Sequence, residues 1–155
     1  MKVFIYPTNS LILSDLVERF GHEPLAVMQE ISKRVNTPGL DSPPLNITPD
    51  DPKIGLKYAA VEVPSGVRGR MSLFGPLISK AEAAIIVRDP VVSFGCMGCA
   101  RTNELVNFLI RSKKIPMLDL YYPSSEEEAK EFVYKISQFL KLDPAFKCGA
   151  LEEKK

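Results

Sequence analysis

The sequence predicts an α/β fold: a three-layer sandwich on a mostly parallel sheet of about four strands, Rossmann-like or flavodoxin-like. Three observations carry this. Short apolar runs alternate with longer segments whose apolar residues recur at helical spacing. Prolines, glycines and serines punctuate the junctions between them. The predicted strands also end in polar or glycine-bearing loops, as the ligand-binding edge of a parallel sheet does.

Val3-Phe4-Ile5-Tyr6 is the first strand, stopped by Pro7, and Thr8-Asn9-Ser10 offers caps for the helix that follows. Leu11, Ile12, Leu16, Val17 and Phe20 form the apolar stripe of that helix, and Gly21 closes it. Pro24 suits the first turn of a second helix with a stripe of Leu25, Met28, Ile31 and Val35; a strand over Leu25–Met28 is the alternative. Residues 36–55 form a proline-rich loop holding Pro38, Pro43, Pro44, Pro49 and Pro52, with a single helical turn expected after Thr48-Pro49-Asp50-Asp51. Lys57–Val63 reads as the second strand, stopped by Pro64. Ser65–Arg70 reads as a flexible basic loop, and Met71–Lys80 as a helix interrupted by Gly75 and Pro76. Ala83–Val87 is the third strand, and Glu104–Arg111 a helix reached through a loop that holds two thiols. Ile115–Tyr122 is the fourth strand. Pro123-Ser124-Ser125 then caps a helix with Glu126-Glu127-Glu128 in its first turn and Phe132, Val133, Ile136, Phe139 and Leu140 toward the core. Residues 1–142 thus read as one domain, and 143–155 as a partly ordered tail.

Composition narrows the function classes. The net charge of +1 makes no case for nucleic acid or an anionic membrane surface. No apolar run approaches a membrane span, and the apolar part of the N-terminus is too short for a signal peptide, so a cytoplasmic setting is expected. Three cysteines, Cys96, Cys99 and Cys148, are an odd number and argue against a disulfide scaffold. The single histidine, His22, excludes a Cys2His2 zinc site within one chain and any scheme needing two histidines.

The chemistry concentrates in Phe94-Gly95-Cys96-Met97-Gly98-Cys99-Ala100-Arg101-Thr102-Asn103. Two thiols at this spacing chelate a metal or iron–sulfur cluster, because the intervening turn aims both sulfurs inward. They also suit a dithiol–disulfide cycle, since a helix N-terminus favours the thiolate. The bland alternative is a pair of small residues in a glycine-rich turn. A cluster takes about four thiolates, so Cys148 would add a third ligand and a protein partner the rest. The position after the third strand argues against a thioredoxin fold. Thr102 or Asn103 is expected as an N-cap, and Arg101 opposes the helix dipole unless an anion meets it. Ser65, Gly66, Arg68 and Arg70 form a weak anion-binding signal that matches no phosphate-loop pattern. With parallel strands, these loops and Thr8-Asn9 converge on one sheet edge.

The opening from Met1 to Leu25, the Asp41–Pro49 segment, the Val63–Met71 segment and Gly95–Glu104 together resemble the methanogenesis marker protein 5 family. The resemblance runs from about Met1 to Leu140 and leaves Cys148 outside. It implies a cytoplasmic protein of a methanogenic archaeon, linked to assembly or activation of methyl-coenzyme M reductase. It carries no assigned active site. The expectation is therefore an accessory protein that holds an iron–sulfur cluster or metal and acts with a methanogenesis enzyme or maturation factor. A thiol–disulfide oxidoreductase and a non-catalytic interaction module are the alternatives.

Overall fold

A computed structural model of the chain describes residues 1–27, 30–32, 50–88 and 97–141, of which 97–99 by backbone only. Its elements are β1 (Lys2–Tyr6), α1 (Leu11–Arg19), β2 (Glu23–Leu25), α2 (Asp51–Gly55), α3 (Ser65–Lys80), β3 (Ala83–Arg88), α4 (Met97–Ser112), β4 (Met117–Tyr121) and α5 (Glu126–Lys141). All strand pairs are parallel and the sheet order is β2-β1-β3-β4.

Alternation along the strands sorts side chains between two cores. Phe4, Ala84 and Ile86 face α3 and α4, where Met71, Val106 and Ile110 are buried. Val3, Ile5, Ile85 and Val87 face α1 and α5, where Val17, Ile136 and Phe139 are buried. The sheet is therefore sandwiched, and each fully buried aliphatic side chain contributes about 1.5–3 kcal/mol. The strands β1 and β3 read as continuous apolar runs because both their faces are covered.

Local chemistry sets the helix ends. Ser10 caps α1, its Oγ accepting from Leu13 N at 3.3 Å, and Gly21 takes a φ of 76° just past the helix. At α5, Ser125 Oγ accepts from Glu128 N at 3.2 Å, while the Glu128 carboxylate accepts from Ser124 N and Oγ at 2.8 and 2.7 Å.

Four sequence expectations are corrected. Pro24 does not open a helix; it sits mid-strand in β2, the sheet edge. Glu23 N bonds Met1 O, so by alternation the missing N–H of Pro24 faces away from β1 and costs no ladder bond. Among the described residues after β2, Val27 and Glu30–Ser32 are helical, with Ile31 buried; Met28 and Val35 lie outside the described residues.

Lys57–Val63 is not a strand. Its amides close local turns: Tyr58 N and Ala59 N both reach Gly55 O at 3.0 Å, and Val63 N reaches Ala60 O at 3.1 Å. The place left open by this segment is filled by β2. Ser65–Arg70 is not a loop either, but the first turns of α3. That helix runs unbroken through Pro76, held by Val67, Met71, Leu77 and Ile78 in the core. Finally, the helix expected from Glu104 starts at Met97, so Thr102 and Asn103 are interior residues and not N-caps.

Two smaller shifts are of boundary only: the helical turn in the proline-rich loop is α2, with Asp50 at the N-cap and Pro52 in the first turn, and β4 is trimmed to Met117–Tyr121. In α5, Val133 stays 45% exposed and lies off the core stripe. The remainder of the proline-rich loop and the tail lie outside the described residues.

Candidate functional site

The strand order reverses between β1 and β3, and Tyr6 is in register with Ile86 there. This is the switch point of a doubly wound sheet, where the loops leaving two neighbouring strands part to opposite faces. The chain after β1 turns through Pro7–Ser10 into α1 on one face; the chain after β3 leads to α4 on the other. Both helices start at the carboxyl edge of the sheet, and so does α3, because its far end feeds β3.

The candidate residues take different positions in this frame. Thr8 is buried, and its carbonyl accepts from Val27 N at 3.1 Å; Asn9 is exposed beside it. The α4 backbone begins at Met97, so Cys99 lies in its first turn. Cys96 and Cys148 lie outside the described residues. Among the described residues no group of three or more His, Cys, Asp or Glu could hold a metal. His22 belongs elsewhere: Nε2 lies 2.9 Å from Leu140 O and Nδ1 3.5 Å from the N-terminal amine.

Ser65 and Gly66 open α3, and a Cβ at Gly66 would meet nothing within 4 Å, so no close backbone approach requires a glycine there. The Arg68 guanidinium turns inward, donating from Nε to Val63 O at 3.0 Å and from Nη1 to Pro52 O at 3.4 Å. It clamps the 52–63 segment onto α3. Arg70 is half-buried two residues on. Beneath them Ser72 Oγ sits 2.7 Å from both Asp51 Oδ1 and Gly69 O, joining α2 to α3 in a buried contact.

Arg101 is exposed on the flank of α4 that faces α3. With Glu104 and Glu62 it rims an open groove of about 470 Å³, floored by Val63, Pro64, Val67, Leu105 and Phe108. The groove is the place where the structure brings the start of α3 and the first turns of α4 together. Phe108 is 64% exposed there, and Val61, next to the rim, 65%.

Thr102 is 3% exposed, and Asn103 is half-buried one residue on. Asn103 Nδ2 and Asn107 Oδ1, one helical turn apart, are buried without a hydrogen-bond partner among the described residues. A second polar cluster lies across the sheet edge: Asp119 on β4 takes ion pairs from Arg88 at the end of β3 and from Arg111 on α4. Two guanidiniums on one carboxylate leave a local charge of about +1. Neither Asn107 nor this ion cluster was anticipated. The four-residue spacing of Asn103, Asn107 and Arg111 was a readable helix-face signal; the convergence of Arg88 and Arg111 on Asp119 was not, because it depends on strand pairing.

Two groups have perturbed acidity. Burial pushes the Lys113 ammonium below its ordinary range, against the attraction of Glu82. The hydrogen bonds from Ser124 hold the Glu128 carboxyl below the usual carboxylate range.

Comparison with known proteins extends this picture. The family described as "Uncharacterized protein conserved in archaea (DUF2112)" matches residues 1–142. A protein of Methanocaldococcus jannaschii, named "Uncharacterized protein MJ0404", is 64% identical over 140 residues, covering 90% of this chain and 93% of that protein. No solved structure matches. Among the described residues, no helix is long and apolar enough to cross a membrane.

Proposed function

We propose the following for this chain, which belongs to the archaeal family DUF2112: it is an accessory protein that presents the Cys96 and Cys99 thiols to an iron–sulfur cluster or metal. A protein partner completes the ligand set, and the pair serves maturation, activation or electron delivery for methyl-coenzyme M reductase or a related methanogenesis enzyme. The observation that carries the reading is the start of α4. The helix includes Met97, seven residues before the start its periodicity predicts, so Cys99 lies in a helical first turn at the carboxyl edge of a parallel sheet. The free N–H groups and dipole there favour thiolates, the form that ligates metal.

The need for a partner follows from the donor count. The CxxC segment supplies two thiols, and the single histidine, His22, is engaged at the opposite end of the sheet. A thiolate cluster takes about four ligands. The groove beside the same helix offers apolar surface to such a partner. The link to methanogenesis is supported by the resemblance of four segments to the methanogenesis marker protein 5 family and by the archaeal family.

Anaerobic purification followed by iron and sulfide analysis tests this. Stoichiometric iron and sulfide, lost in Cys96→Ser and Cys99→Ser, is the expected result; a colourless, metal-free protein, alone and with its co-purified partners, refutes it. Cycling of a Cys96–Cys99 disulfide is the second reading, favoured by the same helix start, because a thiolate at a helix N-terminus is also the attacking species in disulfide exchange. Mass spectrometry across a redox titration separates the two: the pair oxidises at an accessible potential only in the second.

A further inference from the structure

We propose that β4 is a pairing edge, and that two copies of this chain join their β4 strands antiparallel to form one continuous sheet.

The two edges of the sheet are not alike. At β2 the edge is three residues long and carries Pro24 in its middle, the usual protection against a further strand. At β4 the edge is five residues, Met117–Tyr121, with no proline or lysine. Its single charge, Asp119, is engaged within the chain by Arg88 and Arg111, a cluster of about +1. No described strand pairs with its outer side. Tyr121 and Tyr122 are 66% and 61% exposed at its end.

The main-chain parity is set by two bonds. Ala84 N reaches Pro116 O at 3.0 Å and Tyr122 N reaches Arg88 O at 2.8 Å, so even-numbered residues bond β3. By alternation, the N–H and C=O groups of Met117, Asp119 and Tyr121 point outward. Their complement is another extended strand.

Side-chain chemistry selects the occupant and the register. Pairing centred on Asp119 would set this cluster against its own copy, like charge against like, which is destabilising. Centring on Leu120 removes the conflict. Asp119 then faces Tyr121 of the second copy, and the two exchange both main-chain bonds. On one face Leu120 meets Leu120 and Tyr122 meets Leu118. On the other, the Tyr121 ring meets the Arg88–Asp119–Arg111 cluster, where guanidiniums favour an aromatic face. Along the rim, α5 lines the groove beside β4 with Glu131 and Lys135, paired at 2.8 Å within one chain. Paired in this way, the rim presents no net charge against a second copy related by a two-fold axis.

Light scattering on the full chain across a concentration series tests the proposal, the expected result being conversion of monomer to dimer mass. Tyr121→Pro removes an outward N–H that bonds nothing in β3. It is expected to weaken association at least about tenfold with unchanged circular dichroism and melting temperature. Tyr122→Glu serves the same purpose should the proline variant misfold. A chain that stays monomeric at every concentration overturns the proposal, as does dimerisation unaffected in the folded variant. For the register, Cys96, Cys99 and Cys148 are first changed to serine. Asp119→Cys mixed with Tyr121→Cys should then crosslink on oxidation; crosslinking of Asp119→Cys alone overturns the Leu120-centred arrangement. None of these readouts depends on bound metal, so this proposal and the cluster reading fail separately.

Discussion

Replacing Gly55 with alanine drives a methyl group into the backbone of α3. A Cβ built there lies 1.8 Å from Arg68 O and 2.5 Å from Arg68 C, where real contacts essentially never fall below 3.0 Å. The two helices must separate by at least 3.0 − 1.8 = 1.2 Å along that line. The backbone cannot rotate away as a side chain would, and the movement falls on the bonds joining the two elements. These are the Arg68 contacts to Val63 O and Pro52 O and the 2.7 Å contact of Ser72 with Asp51. Overpacking costs about 1–3 kcal/mol. Leaving a buried polar group unpaired costs a further ~1–3 kcal/mol. The alanine recovers up to about 1 kcal/mol of backbone entropy, which does not offset these costs. Gly55→Ala is therefore expected to lose about 2–4 kcal/mol in urea unfolding, with faster amide exchange concentrated at Tyr58, Ala59 and Val63. Gly66→Ala is the matched control. Its Cβ meets nothing within 4 Å, so the same entropy term stands unopposed and the variant should gain about 0.5–1 kcal/mol. Equal stability of the two variants, or a Gly55→Ala protein at least as stable as the parent, would refute the argument.

Lys113 donates from Nζ to Ile78 O, Ser79 O and Ala81 O at 2.9, 2.7 and 2.7 Å, capping the C-terminus of α3 with a cation. Lys113→Met keeps the aliphatic stem and should lower stability by about 1–2 kcal/mol in thermal unfolding; a neutral effect would mean that water replaces the ammonium at no cost. Glu128, held below the usual carboxylate range by Ser124, contributes stability that is fully present above its unfolded value of about 4.3 and is lost as pH falls through its lower folded value. Glu128→Gln should therefore melt lower than the parent at neutral pH, with the two curves converging in acid; a difference that persists unchanged to low pH would contradict this. Arg68→Met should release the 52–63 segment and raise its amide exchange while the sheet amides of β1 and β3 keep theirs; uniform loss of protection would mean that the segment unfolds only with the whole domain.

The legible parts of the fold are those governed by local rules. Helical spacing found α1 and α5, and serine and glycine marked the ends of α1. Unbroken apolar runs found β1 and β3, because strands covered on both faces cannot alternate. The errors cluster where a distant contact outweighs a local preference. Pro24 reads as a helix opener until β1 lies alongside and only the outward N–H position remains for it. Ala60, Val61 and Val63 look strand-like until α3 takes the neighbouring ground and Arg68 claims the Val63 carbonyl. Gly75 and Pro76 read as a break until Tyr58 packs over Gly75, where a Cβ would meet its ring at 2.3 Å.

The candidate site divides in the same way. Sequence alone determined that a CxxC segment follows the third strand, that one histidine and three thiols limit the ligands the chain can offer, and that an α/β frame carries the segment. These are matters of residue identity and short-range periodicity. Tertiary structure decided that Met97 and Cys99 are already helical, that Arg68 is a clamp, that Asn103 and Asn107 bury polar atoms one turn apart on α4, and that Arg111 reaches Asp119 on β4. It also decided which edge of the sheet is guarded and which is open. Such outcomes depend on groups far apart along the chain, whose pairing is chosen by the global burial of apolar surface and the satisfaction of every buried N–H and C=O, and no local window of sequence contains that balance.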